Sequence, residues 1–149
     1  MENTRDLFQM MSRRFGLLNK NCCSADGLDI SLIQSHILYE INRQHTPSVQ
    51  EVAEALGTDI TTFSRQVQSL IRMNLVNKTP SLNDRRIHTL ELTMEGTKVA
   101  EIIDEQINTY LEEIFAHMTD FEKETVIRSI QLLNNAMGEI GYCCAPAPR

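Results

Sequence analysis

Apolar residues return every three or four positions through most of this chain, so helices dominate the expectation. Leu7, Met10, Met11, Leu17 and Leu18 stripe a first helix over residues 5–19. Residues 21–29, with Cys22-Cys23, Ser24, Asp26 and Gly27, read as a loop. A second helix follows over 31–44, and Thr46-Pro47 stops it because the residue before a proline disfavours the α region. Ser48-Val49-Gln50-Glu51 matches a capping box, in which side chain and backbone satisfy two orphan donors reciprocally. The helix it opens carries Val49, Val52, Ala53 and Leu56 and ends at Gly57, suited to a left-handed cap. Thr58 or Asp59 caps the next helix, with Phe63, Val67, Leu70 and Ile71 inward. Its outward face holds Thr61, Thr62, Ser64, Arg65, Gln66 and Gln68.

The period then shortens. Leu75–Lys78 and His88–Leu92 are strand candidates flanking a polar turn at 80–86, a hairpin or wing. Thr93 caps a long helix over 94–115 with Val99, Ile102, Ile103, Ile107, Tyr110, Leu111 and Ile114 on one side. Thr119 and Glu122 form a second capping box, followed by Val126, Ile130, Leu133, Met137 and Ile140 in steps of four and three. The tail 145–149 is expected to be disordered. The expected fold is mainly α with a small β-wing, a winged helix-turn-helix with a helical dimerisation region. Residues 31–93 form the winged part; 1–30 and 94–144 form the dimerisation part of a single intertwined domain. The first and last helices carry more apolar surface than one small winged lobe can bury, so a second copy is the expected cover.

Two short helices joined through a glycine turn, followed by an arginine-tipped hairpin, are suited to duplex DNA: one helix in the major groove, the arginines on phosphates or the minor groove. The net charge of −6 opposes this only in total. Between Arg43 and His88 six cations face four carboxylates, an excess of +2, leaving −8 on the remainder. A small local excess implies modest, salt-sensitive non-specific affinity. The 149 residues, 42% hydrophobic, suit one domain. No apolar run approaches the ~18 residues of a membrane span, and no signal-peptide pattern opens the chain, so a cytoplasmic protein is expected. No Ser-His-Asp, Cys-His or paired-carboxylate constellation stands at informative spacing, and no glycine-rich phosphate loop, so an enzyme is not expected. A helical protein-interaction scaffold is the rival class.

Asp84-Arg85-Arg86, then Leu90-Glu91-Leu92-Thr93 and Gly96, resembles the wing of the MarR family of bacterial transcriptional regulators: an Asp, an Arg and a leucine-rich strand ending in L-T-x-x-G. Ser64, Arg65, Leu70 and Leu75-Val76 stand where that family's recognition helix and its exit strand are expected, and the resemblance runs nearly the whole length. It implies a homodimer on a pseudo-palindromic double-stranded operator, and repression relieved by a ligand or a cysteine reaction. It implies DNA contacts from Thr61, Thr62, Ser64, Arg65, Gln66, Arg85 and Arg86, with Arg86 orienting the wing against Asp84 and Arg85 reaching DNA. Ser48, Gln50 and Arg72 are further phosphate candidates that capping and solvent exposure explain equally well.

All four cysteines occur as adjacent pairs, Cys22-Cys23 and Cys143-Cys144. In a reducing compartment they are thiols, and up to four soft sulfurs suit arsenite, Cu(I), Cd(II), Hg(II) or Zn(II). No cofactor is required; a soft metal or metalloid bound by these cysteines is the expected effector, with oxidation to disulfides as the alternative. Zinc-sensing relatives use a histidine on the second helix, where His36 is similarly placed, but Asp104, Glu105 and Asn108 stand where their paired histidines would be. An organic ligand among Phe15, Leu18, Ile37, Met73 and Ile103 is the third alternative, though such aliphatic stripes are more often plain core.

Overall fold

The computed structural model describes residues 3–17 and 21–141. Its elements run α1 (Thr4–Arg14), β1 (Asn21–Ala25), β2 (Leu28–Ser31), α2 (Leu32–Gln44), α3 (Val49–Leu56), α4 (Ile60–Arg72), β3 (Val76–Pro80), β4 (His88–Leu92), α5 (Met94–Phe115) and α6 (Asp120–Ile140). The chain divides into two compact units, Met1–Asp104 and Glu105–Arg149, the division falling within α5.

The first helix ends at Arg14, earlier than the expected residue 19. The segment expected to be a loop is instead an antiparallel hairpin, β1 on β2, with Ala25 opposite Leu28 and Asp29 opposite Ser24. Its two-residue turn explains the difference. Asp26 and Gly27 both have positive φ, 53° and 77°, the left-handed pair that hairpin turns require and that Asp-Gly supplies. Ala25 and Ile30 then fall on the buried face.

Ser31 caps α2 reciprocally with Gln34: the Gln34 N–H donates to Ser31 Oγ at 3.2 Å and the Ser31 N–H donates to Gln34 Oε1 at 3.0 Å. The same Gln34 side chain donates to Ser69 Oγ at 3.3 Å, joining α2 to α4 and partnering a buried amide. At α3 the expected box is only half formed. Ser48 Oγ accepts the Glu51 N–H at 3.1 Å, while no return bond from Glu51 is made among the described residues.

The core of the first unit gathers Ile30, Ile37, Leu38 and Ile41 with Val52, Phe63, Val67 and Leu70, then Leu75, Val76, Leu90, Val99 and Ile103. Ile37 and Ile103, candidates for a ligand cavity, are packed core here, and Phe15 is exposed; Leu18 lies outside the described residues. Thr93 latches the start of α5 onto the exit from α4. Its hydroxyl donates to the Asn74 carbonyl at 2.7 Å and accepts the Gly96 N–H at 2.9 Å, while its own N–H donates to the Leu75 carbonyl at 3.0 Å. Gly96 makes the close approach possible: a Cβ there would overlap the Leu75 carbonyl oxygen and stand 2.9 Å from its carbon. This is the physical content of the L-T-x-x-G pattern.

In the second unit Thr119 and Glu122 cap α6 in both directions, at 2.8 and 3.2 Å. Lys123 Nζ sits 5.3 Å from the Phe115 ring centroid. No residue of α6 is buried, and Phe121, Leu132 and Ile140 are 78%, 72% and 85% exposed. Considered by itself, α1 buries no residue either, and Leu7, Phe8, Met11 and Phe15 are exposed. The tail 145–149 lies outside the described residues.

Candidate nucleic-acid interface

Gly57 closes α3 with φ 62° in the left-handed region, and its N–H donates to the Ala53 carbonyl at 3.0 Å. Two residues later Asp59 caps α4 by accepting the Thr62 N–H at 2.9 Å. That backbone bond, with help from the Thr62 hydroxyl, holds the Asp59 carboxyl below its ordinary value, so it is an anionic cap at neutral pH. Phe63, Val67 and Leu70 anchor one side of α4 in the core. Helical periodicity therefore turns Thr61, Thr62, Ser64 and Arg65 outward, and all four are exposed; Gln66 is half-buried at the margin of that face.

Strands β3 and β4 pair from Val76 opposite Leu92 to Pro80 opposite His88. The Leu90 N–H donates to the Pro47 carbonyl at 2.8 Å and Ser48 bridges to Thr89, so the base of the wing is bonded to the entry of α3. The tip is tied to itself. The Ser81 N–H donates to the Ile87 carbonyl at 2.7 Å, and the Ile87 N–H donates to the Asp84 carbonyl at 3.0 Å. Arg86 grips Asp84 with a fork: Nε donates to Oδ1 and Nη2 to Oδ2, each at 3.1 Å, and its backbone N–H adds 3.0 Å. The Arg86 guanidinium, then its backbone N–H, keeps the Asp84 carboxyl below its usual range. With Asp84 engaged by Arg86, the neighbouring Arg85 projects as an exposed cation.

A groove of about 710 Å³ lies between α3, the start of α4 and the wing. Gln50 and Glu54 line it from α3, Ile60 from the start of α4, and Lys78, Ile87 and His88 from the wing. Gln50 is among the phosphate candidates of the sequence, whereas Lys78 and His88 carry no site signal there. Their convergence follows from the long-range pairing at Pro47 and Ser48, for which one-dimensional spacing carries no signal.

The cysteine candidates are not brought together among the described residues. Cys22 lies in β1 at a register shift between Asn21 and Cys23, Cys23 is half-buried against the core, and Cys143 and Cys144 lie outside the described residues. Among the described residues no group of three or more His, Cys, Asp or Glu side chains could hold a metal ion. His36 is exposed on α2, as are Asp104, Glu105 and Asn108 on α5. No helix among the described residues is long and apolar enough to cross a membrane.

Comparison with known proteins follows the same outline. The MarR family model matches residues 30–88, from the end of β2 to the start of β4. The chain is 28% identical over 100 residues to the HTH-type transcriptional regulator PapX of Escherichia coli, spanning 67% of this chain and 61% of that protein. It is 24% identical over 110 residues to the HTH-type transcriptional regulator YfiV of Bacillus subtilis, spanning 74% and 69%. In fold it is similar to Streptococcus pneumoniae FabT, solved in complex with DNA: TM-score 0.79, 18% identity, 92% of this chain and 96% of that one. The helix-turn-helix, the clamped wing and these similarities agree: residues 30–88 match the MarR family model, and the whole fold is similar to that of MarR-type regulators.

Proposed function

We propose that this chain is a dimeric, cytoplasmic, DNA-binding transcriptional regulator, acting as a repressor rather than as an enzyme. The observation that carries this reading is the pairing of the α3–Gly57–α4 unit, whose exposed face is Thr61, Thr62, Ser64 and Arg65, with a wing whose tip is held by the Arg86–Asp84 fork. Arg65 and Gln66 have the donor geometry to read base edges, and the hydroxyls suit bases or phosphates. Arg85 reaches the minor groove beside it, and Arg86 sets the angle of approach. Residues 31–93 read the duplex; 1–30 and 94–144 make the dimer. The exposed apolar faces of α1 and of α6 support a second copy of the chain, and two protomers match a pseudo-palindrome. The complex of FabT with DNA supports the choice of partner.

The test is fluorescence anisotropy on the promoter of its own gene, with light scattering for the mass. A dimer whose binding falls with salt, and is lost in Arg65→Ala and Arg85→Ala, supports the reading. A monomer that ignores the duplex at every salt concentration returns the chain to the scaffold class.

Within this reading the signal enters through Cys22-Cys23 and Cys143-Cys144 as thiol ligands for a soft metal or metalloid. Support comes from the chemistry of adjacent thiolates and from the irregular pairing of β1 at Cys22. Arsenite, Cd(II), Zn(II) and hydrogen peroxide, added in turn to the DNA complex of wild type and each Cys→Ser variant, separate metal sensing from oxidation. Release that is identical in every variant removes the cysteines and leaves an organic ligand.

A further inference from the structure

We propose that the groove between α3 and the wing seats one phosphodiester of the DNA backbone, held by Lys78, Gln50 and His88. This rests on the duplex-reading function above and adds a site to it. The argument is topological first. A helix in the major groove and a wing in the adjacent minor groove have one sugar–phosphate strand between them, because that strand is what separates the two grooves. A strand running from the start of α4 to the wing crosses the groove between α3 and the wing, which is concave, about 710 Å³, with Ile60 of α4 at its edge.

Its chemistry has the two characters of the strand. Ile60 and Ile87, 58% and 48% exposed, give it apolar walls for the deoxyribose rings. Lys78 brings an exposed ammonium and His88 a ring nitrogen from the wing, Gln50 an amide from α3, and the positive end of the α3 dipole opens beside them. The seat is held ready by the Leu90–Pro47 bond at 2.8 Å and the Ser48–Thr89 bridge, which keep the wing base at a set distance from α3. One group opposes an anion. The Glu54 carboxylate lines the groove and accepts the Gln50 amide at 3.0 Å. Glu54 therefore holds back one donor and repels the phosphate, a brake on non-specific binding that suits a chain of net charge −6.

The experiment measures binding of full-length protein to its promoter duplex and to a scrambled duplex between about 50 and 200 mM salt. Lys78→Gln is expected to weaken both duplexes equally, by about tenfold, and to reduce the slope of log K against log salt by about 0.9 per protomer. Gln50→Ala and His88→Gln lower both affinities several-fold. Glu54→Gln is the decisive variant, since it is expected to raise both affinities, which a merely damaged fold does not do. An unchanged slope in Lys78→Gln, or weaker binding in Glu54→Gln, overturns the seat while the regulator reading stands. Inorganic phosphate, titrated into the protein alone, tests the other source of the same chemistry. Saturation of Lys78, Gln50 and His88 by phosphate, with duplex affinity unmoved by their substitution, assigns the groove to a small ligand and overturns the proposal. A wild-type protein that binds neither duplex removes the regulator reading, and the seat with it.

Discussion

Replacing Gly96 by alanine sets two effects against each other whose signs are known. In a helix alanine is better than glycine by about 1 kcal/mol, so on propensity alone Gly96→Ala stabilises α5. The added methyl, however, coincides with the Leu75 carbonyl oxygen and lies 2.9 and 3.3 Å from that residue's carbonyl carbon and Cα, all backbone atoms that cannot rotate away. The first turn of α5 must lift. Lifting it stretches the Thr93 N–H bond to the Leu75 carbonyl, now 3.0 Å, and the Thr93 hydroxyl bond to the Asn74 carbonyl, now 2.7 Å. Two such bonds are worth about 1 kcal/mol each, and forced overpacking costs typically about 1–3 kcal/mol. The net expectation is a loss of about 2–4 kcal/mol, or about 5–15 °C in Tm for a chain of this size. Gly138→Ala is the matched comparison: in α6 its Cβ meets nothing within 4 Å, so the propensity gain of about 0.5–1 kcal/mol stands unopposed. Both variants and wild type are melted by circular dichroism at one protomer concentration, because dimerisation shifts Tm by mass action. A Gly96→Ala protein as stable as wild type would refute the latch at Thr93.

Phe63 is fully buried beneath the recognition face, so Phe63→Ala is expected to cost about 3–5 kcal/mol by urea denaturation and to abolish DNA binding through the fold. Glu40 illustrates an acid-side dependence. The Arg43 side chain, which approaches to 2.8 Å, is the largest influence and holds the Glu40 carboxyl below its ordinary 4.5; desolvation opposes this and the Gln44 amide adds to it. A lowered carboxylate contributes stability above its unfolded pKa and loses it as pH falls through the folded value. Glu40→Gln should therefore be less stable than wild type at pH 7, with the gap closing on the acid side of that ordinary value; a gap that persists fully protonated excludes the ion pair as its source.

Much of this architecture is local and was legible. Gly57 at the end of α3, Asp59 at the start of α4, and the reciprocal pair Thr119 and Glu122 each act within one helical turn, so adjacent residues suffice to set them. The span 94–115 of α5 follows from an unbroken period after Thr93. The hairpin at β1 and β2 was legible too, in Asp26-Gly27; polar, cysteine-rich surroundings masked a turn whose positive φ angles were written in those two residues.

What spacing could not supply is whatever depends on contacts distant along the chain. The amino-acid pattern by itself determined helices α2 to α6 and the caps at Gly57, Asp59 and Thr119, because these arise from backbone geometry over three or four residues. Only the tertiary structure decided that Pro47 and Ser48 bond to the wing at Leu90 and Thr89, and hence that Gln50, Lys78 and His88 surround one groove. Likewise only packing explains Gly96, whose missing side chain is occupied by the carbonyl of Leu75. Local propensity is summed residue by residue, whereas a groove or a steric exclusion exists only once separate segments share the same space.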